Sequence, residues 1–219
     1  MSAANTSKLD PAVSALLDEY SQRAARERAQ MEKMSSDEMF ARLDEFLLGI
    51  GPDTGSLLHS LARSLEAKVI VELGVSYGYS TVWLADAARR TGGKVHSFEL
   101  SADKVAYAHD KLRGVGLDSY VEFHVGNALE RLPELKAPID LALLDIWKDM
   151  YRPCFELLYP SLAPEGVVVA DNMLQPTEVR QEALAYQALV RTKGDMDSVL
   201  LPIGSGLELS RKRGPQRPV

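Results

Sequence analysis

Cysteine is almost absent from the sequence, since Cys154 is the only one in 219 residues. One cysteine cannot form an intrachain disulfide, which fits a reducing compartment. No apolar run approaches the roughly 20 residues that a membrane-spanning helix needs. The first seven residues also lack the apolar segment of a secretory signal. From these absences we expect a cytoplasmic protein without a membrane partner.

Positive charges are outnumbered by negative ones. The chain has 25 Lys and Arg residues against 31 Asp and Glu residues, which gives a net charge of −6. Nothing in this balance attracts nucleic acid, so we do not expect a nucleic-acid partner. The hydrophobic fraction of 46% and the charged fraction of 26% are typical of one globular domain.

The sequence is organised around residues 69–81. A β-branched run at 69–71 predicts a buried strand, Gly74 and Gly78 predict a turn, and a helical pattern begins at Ser80. A strand, a glycine turn and a helix in this order direct backbone N–H groups toward a ligand. The spacing is not the G-x-G-x-x-G of dinucleotide-binding proteins, so taken alone the stretch also fits a tight turn without a ligand.

From residue 68 onward, predicted strands and helices alternate, which is typical of a mostly parallel sheet covered by helices on both faces. The predicted strands lie at 68–73, 94–98, 120–125, 139–144 and 166–170, with a closing hairpin at 198–201 and 207–210. The predicted helices lie at 10–33, 36–47, 56–65, 79–90, 101–113, 128–132, 152–159 and 177–191. The chain is therefore predicted to form a single α/β domain.

Polar residues follow each predicted parallel strand. Ligands of such sheets bind beyond the carboxyl ends of the strands. The carboxylate of Glu99, just after the predicted strand 94–98, can accept hydrogen bonds from both hydroxyls of a ribose. Asp145, Asp171 and Asn172 carry oxygen ligands suited to Mg²⁺, Ca²⁺ or Mn²⁺. On residue types alone, metal binding by these three and simple capping of loops remain equally open.

Two sets of motifs resemble a known family. Glu72-Leu-Gly-x-x-x-Gly-Tyr-Ser-Thr81 is similar to the first motif of class I S-adenosylmethionine-dependent methyltransferases. Asp145-x-x-Lys-Asp-x-Tyr151, followed by Asp171-Asn172, resembles the paired motifs of the catechol and caffeoyl-CoA O-methyltransferases. The resemblance covers about residues 47–174. It implies a Rossmann-like methyltransferase fold with a mostly parallel seven-stranded sheet, a C-terminal antiparallel hairpin and extra N-terminal helices.

The resemblance also implies roles for segments and residues. Residues 1–52 would be a helical extension with substrate and dimer contacts, and 53–219 the methyltransferase domain. Asp145, Asp171 and Asn172 would hold the cation, with Lys148 as general base. The residues implied in binding S-adenosylmethionine are Ile50, Glu72, Gly74, Ser76, Gly78, Ser80, Glu99, Asn127, Ala128, Asp145 and Trp147. Beyond Asn172, Met173 and Pro176 are placed to hold a flat aromatic ring against Trp147.

We therefore expect a homodimeric enzyme that transfers a methyl group from S-adenosylmethionine to a small aromatic vicinal diol. The alternatives are a tRNA hydroxyuridine O-methyltransferase, a nicotinamide-dependent oxidoreductase and a non-catalytic cofactor-binding protein. The acidic composition of the chain disfavours a tRNA substrate. The absence of the third glycine of the G-x-G-x-x-G motif disfavours the oxidoreductase. The intact motif residues disfavour a non-catalytic protein.

The sequence departs from the catechol enzymes at two positions. Ile146 stands where they have a histidine, and Leu47 where they have a tryptophan. The resemblance therefore indicates the type of reaction more firmly than it indicates the substrate. The histidines His96, His109 and His124 have no motif partners, and we predict that they are structural.

Overall fold

The computed structural model describes residues 9–215, except for the side chain of Phe40. Asp10 starts the first helix, because its carboxylate accepts a hydrogen bond from the Ala12 N–H at 2.9 Å and a proline follows it. No helix between residues 9 and 215 is both long enough and apolar enough to cross a membrane. The helices are α1 (Pro11–Met31), α2 (Ser36–Ala41), α3 (Pro52–Ser64), α4 (Tyr79–Thr91), α5 (Ala102–Gly114), α6 (Ala128–Arg131), α7 (Tyr151–Leu158) and α8 (Arg180–Thr192).

The second helix is shorter than its apolar pattern predicts. It ends at Ala41, and one 3-10 turn follows at Leu43–Glu45. The backbone of Leu47 is held by other parts of the protein: its N–H donates to the Glu27 carboxylate at 2.7 Å, and its carbonyl accepts from the Ser76 hydroxyl at 3.1 Å. Tertiary hydrogen bonds have thus replaced the helical ones expected from the local pattern.

Seven strands form one sheet, as predicted. Their order is β3-β2-β1-β4-β5-β7-β6, and β7 runs antiparallel to both of its neighbours while the other pairs are parallel. β5 begins at Leu162 rather than at Gly166, which lengthens its N-terminal end. The strands are β1 (Val69–Leu73), β2 (Lys94–Glu99), β3 (Val121–Val125), β4 (Ile139–Leu144), β5 (Leu162–Ala170), β6 (Met196–Leu201) and β7 (Leu207–Lys212).

The strand order creates a crevice between β1 and β4. From β1 the chain proceeds outward to β2 and β3, then returns to place β4 on the other side of β1. The connections therefore diverge above the carboxyl ends of these two strands, and ligands bind at such points in open α/β sheets. The Asp145 N–H donates to the Leu73 carbonyl at 2.9 Å, so the two strand ends lie side by side.

The core lies on both faces of the sheet. Ile70 packs with the layer that contains α1, α3 and α4, whereas Val71 packs with the layer that contains α7 and α8. This alternation follows from the two-residue period of a strand. Leu17 of α1 belongs to the same apolar cluster as Ile70 and Val82, so the N-terminal helices share a core with the sheet.

A buried carboxylate joins α3 to α4. Asp86 is 0% exposed, and its Oδ2 lies 2.9 Å from His59 Nε2 and 2.7 Å from Arg90 Nε. Arg89 donates to the other carboxylate oxygen. Burial alone would raise the pKa of Asp86, but hydrogen bonds from His59, Arg90 and Arg89 outweigh it and hold that pKa well below its usual range.

We expect Asp86→Asn to lower the free energy of unfolding by about 2–3 kcal/mol at pH 7, because it removes the charge that the arginines face. Because its pKa is lowered in the folded protein, the Asp86 carboxylate stabilises the fold at every pH above the ordinary pKa of aspartate. This contribution disappears as the pH falls through the lowered value. Urea unfolding from pH 7 downward measures this contribution.

Asp110→Asn, which alters an exposed pair with Arg113, is the control and should change stability by less than about 0.5 kcal/mol. Equal effects of both variants would contradict the assignment.

Candidate active site

A cavity of about 400 Å³ opens above the crevice between β1 and β4. It lies where the strand order predicts a ligand, and polar groups from several strand ends meet there. Most of the residues singled out from the sequence line it: Ile50, Gly74, Ser76, Ser80, Glu99, Asn127, Ala128, Asp145, Trp147, Lys148, Asn172 and Pro176. Glu72, Gly78, Asp171 and Met173 are not among the lining residues.

Gly74 allows β1 and β4 to approach each other at the floor of the cavity. It has φ +92°, and a Cβ atom there would lie 2.0 Å from the backbone oxygen of Asp145. Both features exclude a side chain. Gly78 has φ +93°, but a Cβ there would meet Ala108 of α5 at 2.8 Å. Gly74 therefore shapes the cavity, whereas Gly78 lets α4 pack against α5.

Glu72 lies beneath the glycine turn. Its carboxylate is 0% exposed and accepts hydrogen bonds from the hydroxyls of Ser80 (2.6 Å), Thr81 (2.8 Å) and Ser97 (2.7 Å). Burial raises the pKa of Glu72 to about 7, against the opposing effect of these hydrogen bonds. In this structure Glu72 therefore holds the first turn of α4 against β1 and β2.

Glu99, at the end of β2, faces the cavity. Its carboxylate accepts hydrogen bonds from the N–H groups of Val75 (3.2 Å), Ser76 (2.9 Å) and Ser101 (3.0 Å). A carboxylate has about four acceptor positions, so Glu99 can hold the glycine turn and still accept a ligand hydroxyl. Asn127 caps α6, since its side-chain oxygen accepts from the Leu129 N–H at 3.0 Å.

Lys148 is tied to the ends of β4 and β5. Its ammonium group donates to Asn172 Oδ1 at 2.9 Å, to the Ile146 carbonyl at 3.2 Å and to the Tyr151 hydroxyl. Burial lowers the pKa of Lys148, while the negative charges of Asp145 and Asp171 oppose that shift. The amine is thus fixed in place at the wall of the cavity, with its charged form disfavoured by desolvation.

Asp171 carries an unpaired buried oxygen. The residue is 3% exposed, and its Oδ1 has no hydrogen-bond partner within the described residues. Burial raises the pKa of Asp171, and the negative charge of Asp145 raises it further. Buried polar groups normally have partners. The unpaired oxygen and the two facing acids fit a divalent cation, which prefers oxygen donors and would relieve the repulsion.

Met173, which the sequence places beside the substrate, does not line the cavity. It is 0% exposed and packs in the core layer with Tyr151 and Tyr186. The reason lies in the backbone: the Met173 N–H donates to the Gly206 carbonyl of the loop before β7, at 2.9 Å. Pro176 lies farther along the segment that follows β5 and does line the cavity. Trp147, also predicted to face the substrate, lines the mouth and is 60% exposed.

Sequence reasoning missed most of the N-terminal wall. The segment 43–50 lies along the cavity and is held by an ion pair between Lys104 and Asp44 at 3.0 Å. The glycines at 49 and 51 signalled a break in the helix, but no local pattern shows which surface the segment covers. Leu47 and Ile146, the two positions where the sequence departs from the catechol enzymes, line the cavity as well. The lining residues that were not predicted as site residues are Leu43, Asp44, Leu48, Gly49, Val75, Tyr79, Phe98, Leu100, Lys104, Gly126, Met150 and Val179.

Comparison with known proteins identifies similar sequences. A family model described as a methyltransferase domain matches residues 71–173. The chain is 32% identical over 139 residues to catechol O-methyltransferase of Niastella koreensis, a match covering 62% of each protein. It is 30% identical over 139 residues to catechol O-methyltransferase of Sus scrofa, covering 60% of this chain and 74% of the relative. The chain spans only 52% to 63% of the length of the relatives from Niastella koreensis, Danio rerio and Mus musculus.

A solved structure is similar over nearly the whole chain. The O-methyltransferase TomG from Streptomyces achromogenes, which is involved in tomaymycin synthesis and was crystallised with SAM, aligns with a TM-score of 0.73 and 27% identity. The alignment covers 94% of this chain and 92% of TomG. The similarity therefore includes the N-terminal helices as well as the sheet.

We expect Gly74→Ala to destabilise the protein by more than about 3 kcal/mol, since positive φ costs about 1–2 kcal/mol and the steric clash adds to it. Gly116→Ala separates the two effects, because Gly116 has φ +69° but nothing within 4 Å of its Cβ position. Gly114→Ala has neither constraint and should be nearly neutral. Urea unfolding of the three variants tests this ranking. A Gly74→Ala effect no larger than that of Gly116→Ala would show that the approach of β1 to β4 is not limiting.

Proposed function

The chain belongs to the class I S-adenosylmethionine-dependent O-methyltransferases of the catechol and caffeoyl-CoA type, and we propose that it methylates a hydroxyl of a small aromatic vicinal diol. The observation that carries the proposal is the cluster of Asp145, Lys148, Asp171 and Asn172 at the ends of β4 and β5, beside the cavity. It combines oxygen donors for a cation with an amine of lowered pKa.

The cavity suits S-adenosylmethionine in size and chemistry. Its volume of about 400 Å³ falls in the range of small-molecule sites. The methionine end would lie against the glycine turn and Ser80, the ribose at Glu99, and the adenine near Asn127, Ala128 and Trp147. When bound, the cofactor supplies an electrophilic methyl group on a sulfonium. The protein's part is to hold an acceptor oxygen in line with it, near Ile50.

Asp145, Asp171 and Asn172 would hold Mg²⁺, or Ca²⁺ or Mn²⁺ in its place. The unpaired Asp171 oxygen supports this assignment, and Asn172 Oδ1 keeps a second lone pair beside its bond from Lys148. A cation with open positions lowers the pKa of a hydroxyl that binds to it. Two adjacent hydroxyls chelate such a cation better than one, which is why the proposal specifies a vicinal diol.

Lys148 would take the proton from the attacking hydroxyl. Burial already lowers its pKa. A bound cation would cancel the negative charges of Asp145 and Asp171 that oppose this shift, so the loaded site favours the base form further. Hydrogen bonds to Asn172 and Tyr151 would hold the amine beside a diol in the cavity. These bonds and the lowered pKa support a role for Lys148 as general base.

Apolar side chains around the cavity would hold the aromatic ring of the acceptor. Leu47, Ile146, Met150 and Pro176 line it together with the exposed ring of Trp147. A flat ring packed between such groups gains from burial and from stacking. The cytoplasmic location and the homodimer remain predictions from the sequence.

Labelled methyl transfer from S-adenosylmethionine to a panel of catechols and caffeoyl esters tests the proposal. We expect transfer with Mg²⁺ and none after EDTA treatment. Cofactor binding without transfer to any diol, in a preparation that methylates hypomodified tRNA, would instead support the tRNA alternative. Absence of cofactor binding would overturn the proposed activity.

We expect Asp171→Asn to reduce Mg²⁺-dependent transfer at least about 100-fold by removing a charged metal ligand. Binding of S-adenosylhomocysteine should change little, because Asp171 does not line the cavity. Calorimetric titration with that product measures the second quantity. Asp110→Asn, at an exposed position of α5 that does not line the cavity, is the control and should keep full activity. Equal loss of transfer and product binding in Asp171→Asn would contradict its role as a metal ligand.

We expect Lys148→Met and Lys148→Arg each to lower kcat by about 10²–10⁴. Arginine keeps the positive charge but stays protonated, so it cannot act as the base. Steady-state kinetics with saturating Mg²⁺ measure both variants, with the exposed Lys136→Met as control. Near-normal kcat in Lys148→Arg would mean that the residue contributes charge rather than a proton acceptor.

A further inference from the structure

Two of the four histidines lie together near the edge of the sheet, away from the cavity. His96 Nδ1 of β2 lies 3.3 Å from His124 Nε2 of β3, and Glu122 of β3 lies beside both. We propose that His96, Glu122 and His124 form a second metal site, which takes a divalent transition cation such as Zn²⁺. A metal site would give both histidines a role beyond the structural one that the sequence suggests.

The spacing of the three donor atoms fits tetrahedral coordination. Zn²⁺ binds imidazole nitrogen at about 2.0–2.1 Å, which places neighbouring tetrahedral ligands roughly 3.3–3.4 Å apart. The two nitrogens lie 3.3 Å apart, and Glu122 oxygens lie 3.8 Å from His96 Nδ1 and 3.7 Å from His124 Nε2. Small rotations of the exposed Glu122 side chain would close that difference. A fourth position remains for solvent.

The register of the sheet builds this arrangement. His96 pairs with Glu122, and Phe98 pairs with His124, in the parallel ladder between β2 and β3. Residues two apart on a strand point to the same face, so all three donors lie on one surface. β3 is an edge strand, and the Glu122 side chain is 54% exposed. A cation can therefore reach the site from solvent without any rearrangement of the core.

The charge state of the two imidazoles suits metal ligation. Burial lowers the pKa of both His96 and His124, so the neutral imidazoles that ligate a metal are available. The two nearby cationic side chains have other partners: Lys94 donates to the Ser119 carbonyl at 3.0 Å, and Arg131 pairs with an acid one turn away at 3.2 Å. The Glu122 carboxylate partly compensates the incoming charge.

The types of donor atom distinguish this site from the acidic cluster, which consists of Asp145, Asp171 and Asn172. Two imidazole nitrogens and one carboxylate select borderline metals such as Zn²⁺, whereas the all-oxygen cluster suits Mg²⁺. None of the three residues lines the cavity. His124 instead stacks on Phe98, with ring centroids 4.5 Å apart, and Phe98 separates it from the cavity. Excess Mg²⁺ can thus fill the acidic cluster while leaving the histidine site open.

Zinc titration of the metal-stripped full chain in saturating Mg²⁺ tests the proposal. We expect one Zn²⁺ per chain by calorimetry, with an affinity that falls at least about tenfold in His96→Gln, in His124→Gln and in the exposed Glu122→Gln. Co²⁺ at the same site should give the visible absorption bands of tetrahedral cobalt. His109→Gln removes a histidine outside the cluster and should bind Zn²⁺ like the wild type.

Two results would overturn the proposal. The first is no Zn²⁺ binding to the wild type in excess Mg²⁺, which would show that a hydrogen bond between the two imidazoles accounts for their proximity. The second is undiminished binding in both His96→Gln and His124→Gln. Urea unfolding of the metal-free variants verifies their fold, and the surface substitution Glu122→Gln provides a test that does not disturb the packed rings.

Discussion

The close approach of β1 and β4 at their carboxyl ends is the constraint on which the rest of the site depends. A Cβ atom at Gly74 would lie 2.0 Å from the Asp145 carbonyl oxygen, so only glycine lets the two strands meet. Because they meet, the glycine turn after β1 and the acidic cluster after β4 share one cavity. A cofactor held by the first and a cation held by the second would then lie within reach of the same acceptor.

Three buried acids of the fold differ in how they are satisfied. Glu72 accepts from three hydroxyls, and Asp86 is surrounded by two arginines and a histidine. Both therefore stabilise the contacts among helices and strands. Asp171 keeps one oxygen without a partner in the described part of the chain. A buried acid left unsatisfied costs stability, and such a cost is typical of a binding site rather than of a core.

Much of the fold was predictable from local patterns, whereas most of the candidate site residues came from the strand ends together with the family resemblance. The period of the apolar residues located every strand, and the polar residues after each strand located the cavity, because parallel strands end at the same edge. The exceptions have a common cause. The second helix stops early because Glu27 and Ser76 capture the backbone of Leu47, and Met173 turns inward because its backbone pairs with Gly206. These partners are distant in sequence.

The sequence by itself determined the order of strands and helices, the glycine turn and the types of donor available, since these depend on local conformation and residue chemistry. Only the tertiary structure decided which donors face one another. The wall formed by residues 43–50 and the pairing of His96 with His124 arise from contacts between elements separated along the chain. Strand register and helix packing set such contacts, and neither leaves a periodic signal in the sequence.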